Sequence, residues 1–378
     1  MTPEFRNPTG WTHHDMGKWQ RIDLLTTQPV DDEIFASLEY ISEVDKVGVQ
    51  FFKDLGYQNP KELLLIFRAF IRQAKTFYYA AKQLHYRASA LLYYYAFLNL
   101  AKAYITLSDP NSVSERISHG LMYKFMRGNL RSQGVFLPPS MGVFQILYEI
   151  ETSVNIPANL KMSIVTLLGY CTDVAYEYEM AGFGNRKITP VMVRMLLDRQ
   201  NKISWPLIAV ANFSLINPYK KALKSFYKHF DRVVPEIDFV RQAFNIYAES
   251  FSIFTFFQSR KVYQWQENDI VSMVDIKDDF HNALGNLYNP ILHNEKADFY
   301  LVSPFRKNFQ IPFSQPLAIY VIMFYLGSLV RYNPSYLEKL LNSKDAWLIE
   351  RFTKSSPGTF LRYIANAILQ KNYVYMSR

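Results

Sequence analysis

Glycine is scarce in this chain, 14 of 378 residues, where average usage near 7% would give roughly 26. That shortage argues against a loop-rich all-β architecture and favours helix. Cysteine is scarcer still. The single Cys171 excludes an intramolecular disulfide and any CxxC zinc knuckle, and it fits a reducing compartment. Long apolar runs are also missing. The most apolar stretch, Leu317 to Val330, is closed by Arg331 and falls short of the ~20 residues a spanning helix needs, so it is expected to be a buried helix with no role in a membrane. The first residues, MTPEFRNPTGWTHHDMGKW, lack a basic segment followed by an apolar one, which points to a cytoplasmic protein. No Walker A loop, GxGxxG, HExxH, GxSxG or DxDxDG motif is present, so no cofactor is expected. His13 and His14 lie in a polar arm without further ligands nearby, so no metal site is expected either.

What is present is apolar and basic. A hydrophobic content of 49% can bury a large core. The net charge of +9, from 42 basic and 33 acidic groups, attracts anionic partners over long range, nucleic acid among them. The same excess also serves plain solubility.

Residues 1–31 carry Pro, Gly, Thr and Asp signals with little periodicity and read as an irregular arm. A helix is expected from about 32 to 55. The clearest element starts at Asn59, an N-cap type before Pro60 at the first helical position. From there Leu63, Phe67, Phe70, Ala74, Phe77, Ala81 and Leu84 alternate spacings of four and three, an apolar seam. Its opposite face carries Arg68, Arg72, Lys75, Tyr79 and Lys82 within an arc of about 80°. Such a stripe can follow a phosphate backbone while the tyrosine stacks on a base. It equally suits an ordinary solvated helix face.

A second helix, 88–107, is apolar around most of its circumference and belongs inside a bundle. Glycines and prolines between 121 and 157 suggest strands or irregular structure. Residues 158–180 read as helix, stopped by Gly182 and Gly184. Residues 187–213 and 252–265 lean towards β structure, with a basic helix at 218–230. Helices return at 314–331, at Pro334–Leu341 capped by Asn333, and at 359–370.

Two stretches are similar to the YaaC-like protein family. One is YRASALLYYYAFLNLAKAYI followed by His119 and Gly120; the other is SQPLAIYVIMFYLGSLVRYNP, which ends in Arg331 and Tyr332 before Pro334. The early helix also resembles the tyrosine- and alanine-rich second helix of HEPN domains. The resemblance covers about residues 30 to 345. It implies a mainly α (α+β) fold, a HEPN-like helical bundle with a β-containing middle region. After the arm of residues 1–31, a single domain would place its helical core at about 32–120 and 314–378 and its β-containing middle at about 121–313.

HEPN domains are commonly dimeric, so a homodimer is implied. Many are metal-independent ribonucleases, in bacterial toxin or anti-phage settings, with an Arg-(Asn, Asp or His)-x3-His motif. Its arginine meets phosphate charge and its histidine moves the 2′-hydroxyl proton. This sequence departs from the motif. Tyr288-Asn289-Pro290-Ile291-Leu292-His293 keeps Asn289 and His293 but puts a tyrosine in the arginine's place, and Pro290 disfavours helix. Arg116 and His119 are two positions too close together. Arg87, Arg116 or Arg331 can supply the missing cation from elsewhere in the fold. The expectation is an RNA-binding protein with ribonuclease chemistry if those groups converge. The alternative is a non-catalytic interaction subunit of a larger protein assembly, which the degenerate motif favours.

Overall fold

In the computed structural model the described residues are 3–13, 16–113, 117–215, 223–264, 271–285, 288–292, 297–303, 305 and 311–377. Short strands β1 (Gly10–Thr12) and β2 (Gln20–Thr26) precede four helices, α1 (Val30–Glu43), α2 (Asp45–Asp54), α3 (Pro60–Gln83) and α4 (Tyr86–Ser108). Next come β3 (Met122–Tyr123), β4 (Gly134–Phe136), α5 (Val143–Thr152), β5 (Lys161–Ser163), α6 (Ile164–Leu168) and α7 (Ala175–Met180). The middle of the chain contributes β6 (Ile188–Asp198), β7 (Ile203–Ala211), α8 (Leu223–His229), β8 (Phe230–Val233), α9 (Ile237–Phe244) and α10 (Ala248–Phe251). It continues through β9 (Phe254–Ser259), β10 (Tyr263–Gln264), α11 (Val271–Leu284), β11 (Tyr288–Leu292) and β12 (Ala297–Val302). The chain closes with α12 (Gln315–Tyr332), α13 (Pro334–Leu341), α14 (Ala346–Leu369) and β13 (Lys371–Ser377). The fold is mainly α with β content.

The chain forms two units, a helical one of Ile22–Arg186 with Ser314–Arg378 and a sheet one of Met1–Arg21 with Lys187–Phe313. The expected β-containing middle is thus divided, its first part lying in the helical unit. The arm is not irregular throughout: β1 pairs with β6 and β2 with β13. Strands of three to seven residues are too short for alternation to stand out, so their distant partners were invisible in the sequence.

In the helical unit α3 and α4 form an antiparallel hairpin. Phe77 meets Tyr95 at 5.5 Å between ring centroids, and Lys102 sits 5.5 Å over the Phe70 ring. The expected seam on α3 is rotated. Leu64, Phe67, Ile71, Ala74, Tyr78 and Ala81 are buried, whereas Leu63, Phe70 and Phe77 are half-buried and Leu84 is exposed. The reason is that α3 is gripped on two sides. Phe67 packs on Phe52 of α2 and Tyr78 on Phe35 of α1, opposite the α4 contacts, so burial centres between the two.

The helix expected over 32–55 is two helices, broken where Val44 is extended (φ −87, ψ 95). Gly48 then lies so near the first helix that a Cβ on it would stand 2.5 Å from the Ile41 carbonyl oxygen. On α12 every residue from Gln315 to Leu329 is buried, as expected for a helix apolar all round. No helix among the described residues is long and apolar enough to cross a membrane.

The long helix expected over 158–180 is replaced by β5, α6, a 3₁₀ turn and α7. Its residues are buried on all sides, Leu160, Met162, Ile164, Leu167, Leu168, Tyr170 and Val174 among them. Their periodicity therefore carried no directional signal. The last helix starts at Ala346, well before the expected 359, and runs through Pro357. The SerSerProGly sequence looks like a helix start. Here it lies inside the helix, and a Cβ on Gly358 would make only an ordinary contact with Asp31 Oδ1 at 3.5 Å. Deeper in α14, Arg362 is only 6% exposed. Burial lowers its pKa and the charges of Asp31 and Asp173 oppose that shift, so the cation is compensated within the core.

In the sheet unit eight antiparallel strands run β11-β12-β6-β7-β9-β8, with β1 beside β6 and β10 beside β7. Period-two alternation sends side chains to both faces. Val191, Val193, Met195, Ile208, Val210 and Phe257 pack with Phe226 of α8 and Phe280 of α11. Leu196, Trp205, Leu207, Ala209 and Phe256 pack with Val240 and Phe244 of α9. Both faces are covered, which is why β7 reads as one continuous apolar run.

Candidate nucleic-acid interface

The stripe on α3 is present as spaced, but it does not face solvent alone. Arg72 makes a two-pronged contact with Glu43 (2.8 and 2.5 Å), and Arg68 donates to the Ser42 carbonyl (2.5 Å) and pairs with Asp45. Lys75 reaches Glu39 at 2.6 Å, Lys82 reaches Asp31 at 2.8 Å, and the Tyr79 hydroxyl donates to Asp32. Burial, then the Asp32 hydrogen bond, raise the Tyr79 pKa. The Arg68 side chain is 15% exposed. Four cations, Arg68, Arg72, Lys75 and Lys82, therefore meet four carboxylates, those of Asp31, Glu39, Glu43 and Asp45, and Asp32 beside them accepts from Tyr79. An approaching phosphate would meet as much negative as positive charge, and beyond a Debye length of roughly 8 Å the two cancel.

A different arrangement forms where α4 crosses α12. Gly327 allows the crossing, because a Cβ on it would stand 3.3 Å from Leu91 Cα. Tyr94 packs edge-on against Phe324 at 5.3 Å and Tyr320 at 5.9 Å. His119 joins this aromatic group, 5.2 Å from Phe324 and 6.4 Å from Tyr94. The loop holding it is pinned by backbone. The first amides of α5, Val143 and Phe144, donate to the carbonyls of Ser118 (2.9 Å) and His119 (3.2 Å). Gly120 follows with φ +73, where a side chain is strained. A Cβ on Gly142 would stand 2.4 Å from Gly120 Cα. The His-Gly pair is thus a positioning device: the glycine lets the loop close on α5, and the closure aims the imidazole.

Desolvation of its ring lowers the pKa of His119 although the residue is exposed overall, a backbone hydrogen bond with Leu121 opposes that shift, and the nearby Arg331 charge adds to it. The Leu121 N–H donates to Nδ1 at 3.4 Å. A neutral ring in that setting carries its proton on Nε2, so it presents a donor. Arg331, in the last turn of α12, donates to the Tyr95 hydroxyl at 3.3 Å and lies 5.0 Å over the Tyr332 ring. It has no carboxylate partner among the described residues. His119 and Arg331 are the two sequence candidates that converge.

Around them the loop from 123 to 131 lies across the α12–α13 corner. Tyr123 meets Tyr325 (6.1 Å), Phe125 meets Tyr336 (5.3 Å), and the Tyr336 hydroxyl donates to the Gly128 carbonyl at 3.2 Å. This loop brings Lys124 and Arg127, both exposed and neither paired with a carboxylate among the described residues, beside Phe125 at 48% exposure. The sequence reading passed over them. A signal was there: between Glu115 and Glu149 the chain has no acidic residue, while Arg116, Lys124, Arg127 and Arg131 fall within it.

The remaining candidates do not join this group. Arg87 pairs with Glu338 of α13. Asn289 lies on β11 opposite Tyr300 of β12, in the sheet unit. Arg116 and His293 lie outside the described residues.

A family model described as YaaC-like Protein matches residues 45–368. No curated protein and no solved structure matches the chain.

Proposed function

The chain belongs to the YaaC-like protein family, and we propose that it is an RNA-binding protein that holds the phosphate backbone at the α12–α13 corner of its helical unit. The observation that carries this reading is that Lys124, Arg127 and Arg331 have no carboxylate partner among the described residues, in a region that also holds the donor-presenting His119 and the exposed ring of Phe125. Cations without local carboxylates release counterions when they meet phosphate, and an exposed ring gives a base a surface to stack on. A HEPN-like core is part of the proposal, supported by the antiparallel α3–α4 hairpin. A bacterial toxin or anti-phage setting rests on that same likeness.

Within this reading His119 binds more readily than it catalyses. A general base needs an open lone pair, and the Nδ1 lone pair is engaged by the Leu121 N–H. The Nε2–H instead suits a phosphate oxygen. The test is fluorescence anisotropy with a labelled single-stranded RNA and the variant Lys124→Glu, Arg127→Glu, Arg331→Glu. The expected result is a loss of affinity of about tenfold or more at 150 mM salt, from the phosphate contacts removed. An unchanged Kd, together with a stoichiometric protein partner on purification from the native host, would favour an interaction subunit instead.

A further inference from the structure

Beside this corner lies a cavity of about 550 Å³ in the helical unit, within the range of small-molecule sites. Its lining includes Arg131, Phe183, Tyr336, Lys339, Lys344 and Asp345. Two features of these residues point to a ligand. The first is Asp345. It is 5% exposed, and its Oδ1 is buried with no hydrogen-bond partner among the described residues. The residue stands at the N-cap position of α14, yet its side chain caps no amide there. A carboxylate oxygen taken out of water without a donor is costly to keep, and a ligand N–H would relieve that cost.

The second is charge. Arg131, Lys339 and Lys344 are exposed and have no carboxylate partner among the described residues. Arg131 donates to the Gly182 carbonyl at 2.6 Å, which fixes its guanidinium 4.9 Å over the Phe183 ring. The cavity therefore offers a flat cation–aromatic wall, one buried acceptor and two exposed ammonium groups.

We infer that this cavity binds a nucleoside phosphate whose base carries an exocyclic amino group: the base donates to Asp345 and lies along the Arg131–Phe183 wall, while the phosphate meets Lys339 and Lys344. Such a group arrives either as a free mononucleotide or as the end of an RNA strand. In the second case the inference deepens the proposal above. In the first it stands without it, because none of Lys124, Arg127 and Arg331 lines the cavity.

Calorimetric titration of the full chain with AMP, CMP, UMP and ribose 5-phosphate tests it, alongside a 5′-phosphorylated RNA decamer. AMP and CMP should bind at least about tenfold more tightly than ribose 5-phosphate, which brings no base donor, and than UMP, whose one ring N–H is flanked by two carbonyl oxygens that a carboxylate repels. Asp345→Ala, which removes the acceptor, should remove that preference, and Lys339→Glu with Lys344→Glu, on exposed positions, should weaken every phosphate-bearing probe. The Lys124→Glu, Arg127→Glu, Arg331→Glu variant should keep AMP binding whatever happens to its RNA binding, so the two readings fail separately. Binding of the decamer alone would assign the site to strand ends; binding of AMP would assign it to free nucleotide as well. No saturable heat with any of these probes would overturn the inference. So would a loss confined to the lysine variant with AMP and ribose 5-phosphate binding equally, which describes a bare phosphate patch.

Discussion

Two basic regions of the helical unit differ in what stands opposite them. The α3 stripe is the more regular in sequence, yet every cation on it meets a carboxylate of α1 or of α2's first turn. The α12–α13 corner shows in sequence only as a stretch without acidic residues, and there Arg331 meets the Tyr95 hydroxyl and the Tyr332 ring while Lys124 meets the Phe136 ring. Regular spacing reports a helix face. Whether that face can attract a partner depends on the charge across from it, and a ladder of closed ion pairs is a packing device between helices.

The largest effect should come from breaking the ladder. Changing Arg68, Arg72 and Lys75 together to Glu sets like charges against Glu39, Glu43 and Asp45, and like-charge neighbours destabilise about as much as opposite ones stabilise. A thermal melt should fall by roughly 5 °C or more, while the folded protein keeps its RNA affinity. A stable variant that loses RNA would reverse the assignment of the two regions.

A smaller effect is expected at the loop that aims His119. Gly142→Ala pushes a Cβ onto Gly120 backbone, where no side chain can yield, and should cost about 1–3 kcal/mol. Chemical denaturation measures that cost, and RNA affinity should fall with it because the imidazole is displaced. A fully stable Gly142→Ala protein would mean that the loop does not close on α5 as described.

The smallest effect separates the regions by pH. Desolvation of the ring lowers the pKa of the half-buried His281 in the sheet unit and, with an effect on stability reduced by solvent because the residue is exposed, that of His119. The unfolded chain then takes up protons first as pH falls, so this stability is complete above about 6.5 and is lost on acidification through that value towards the lower folded pKa. Glu43 is also held low, chiefly by its hydrogen bond with Arg72. Its contribution persists above the ordinary 4.5 and is lost only as pH falls through its depressed folded value. Melts from pH 7.5 to 3.5 should show an early decline that His119→Asn and His281→Asn reduce and a late one that Glu43→Gln reduces. An early rise in melting temperature on acidification would contradict the histidine assignment.

Much of the helical framework was legible because its signals are local. Asn333 and Pro334 announce α13, and the Asn333 side chain does accept from the Tyr336 amide at 3.3 Å. The apolar run of α12 and the hairpin around residues 84–86 read directly. What failed was relational. Asp32, Glu39 and Glu43 are spaced to meet Tyr79, Lys75 and Arg72 on an antiparallel helix, yet each helix was weighed alone. The seam was misplaced by about one residue because two neighbours share α3. Asp345 gave no sequence signal at all, since an Asp before a helix ordinarily caps it.

The central claim is that the corner, and not the stripe, meets RNA phosphate. It is tested most directly by the salt dependence of RNA affinity in the wild-type chain and the two triple variants, each measured below its melting temperature. The slope of log K against log salt should be the same for the wild type and the Arg68/Arg72/Lys75 variant. For the Lys124/Arg127/Arg331 variant it should be shallower by about 0.7 per lost contact on a single strand. A slope that flattens in the stripe variant and persists in the corner variant would contradict the account.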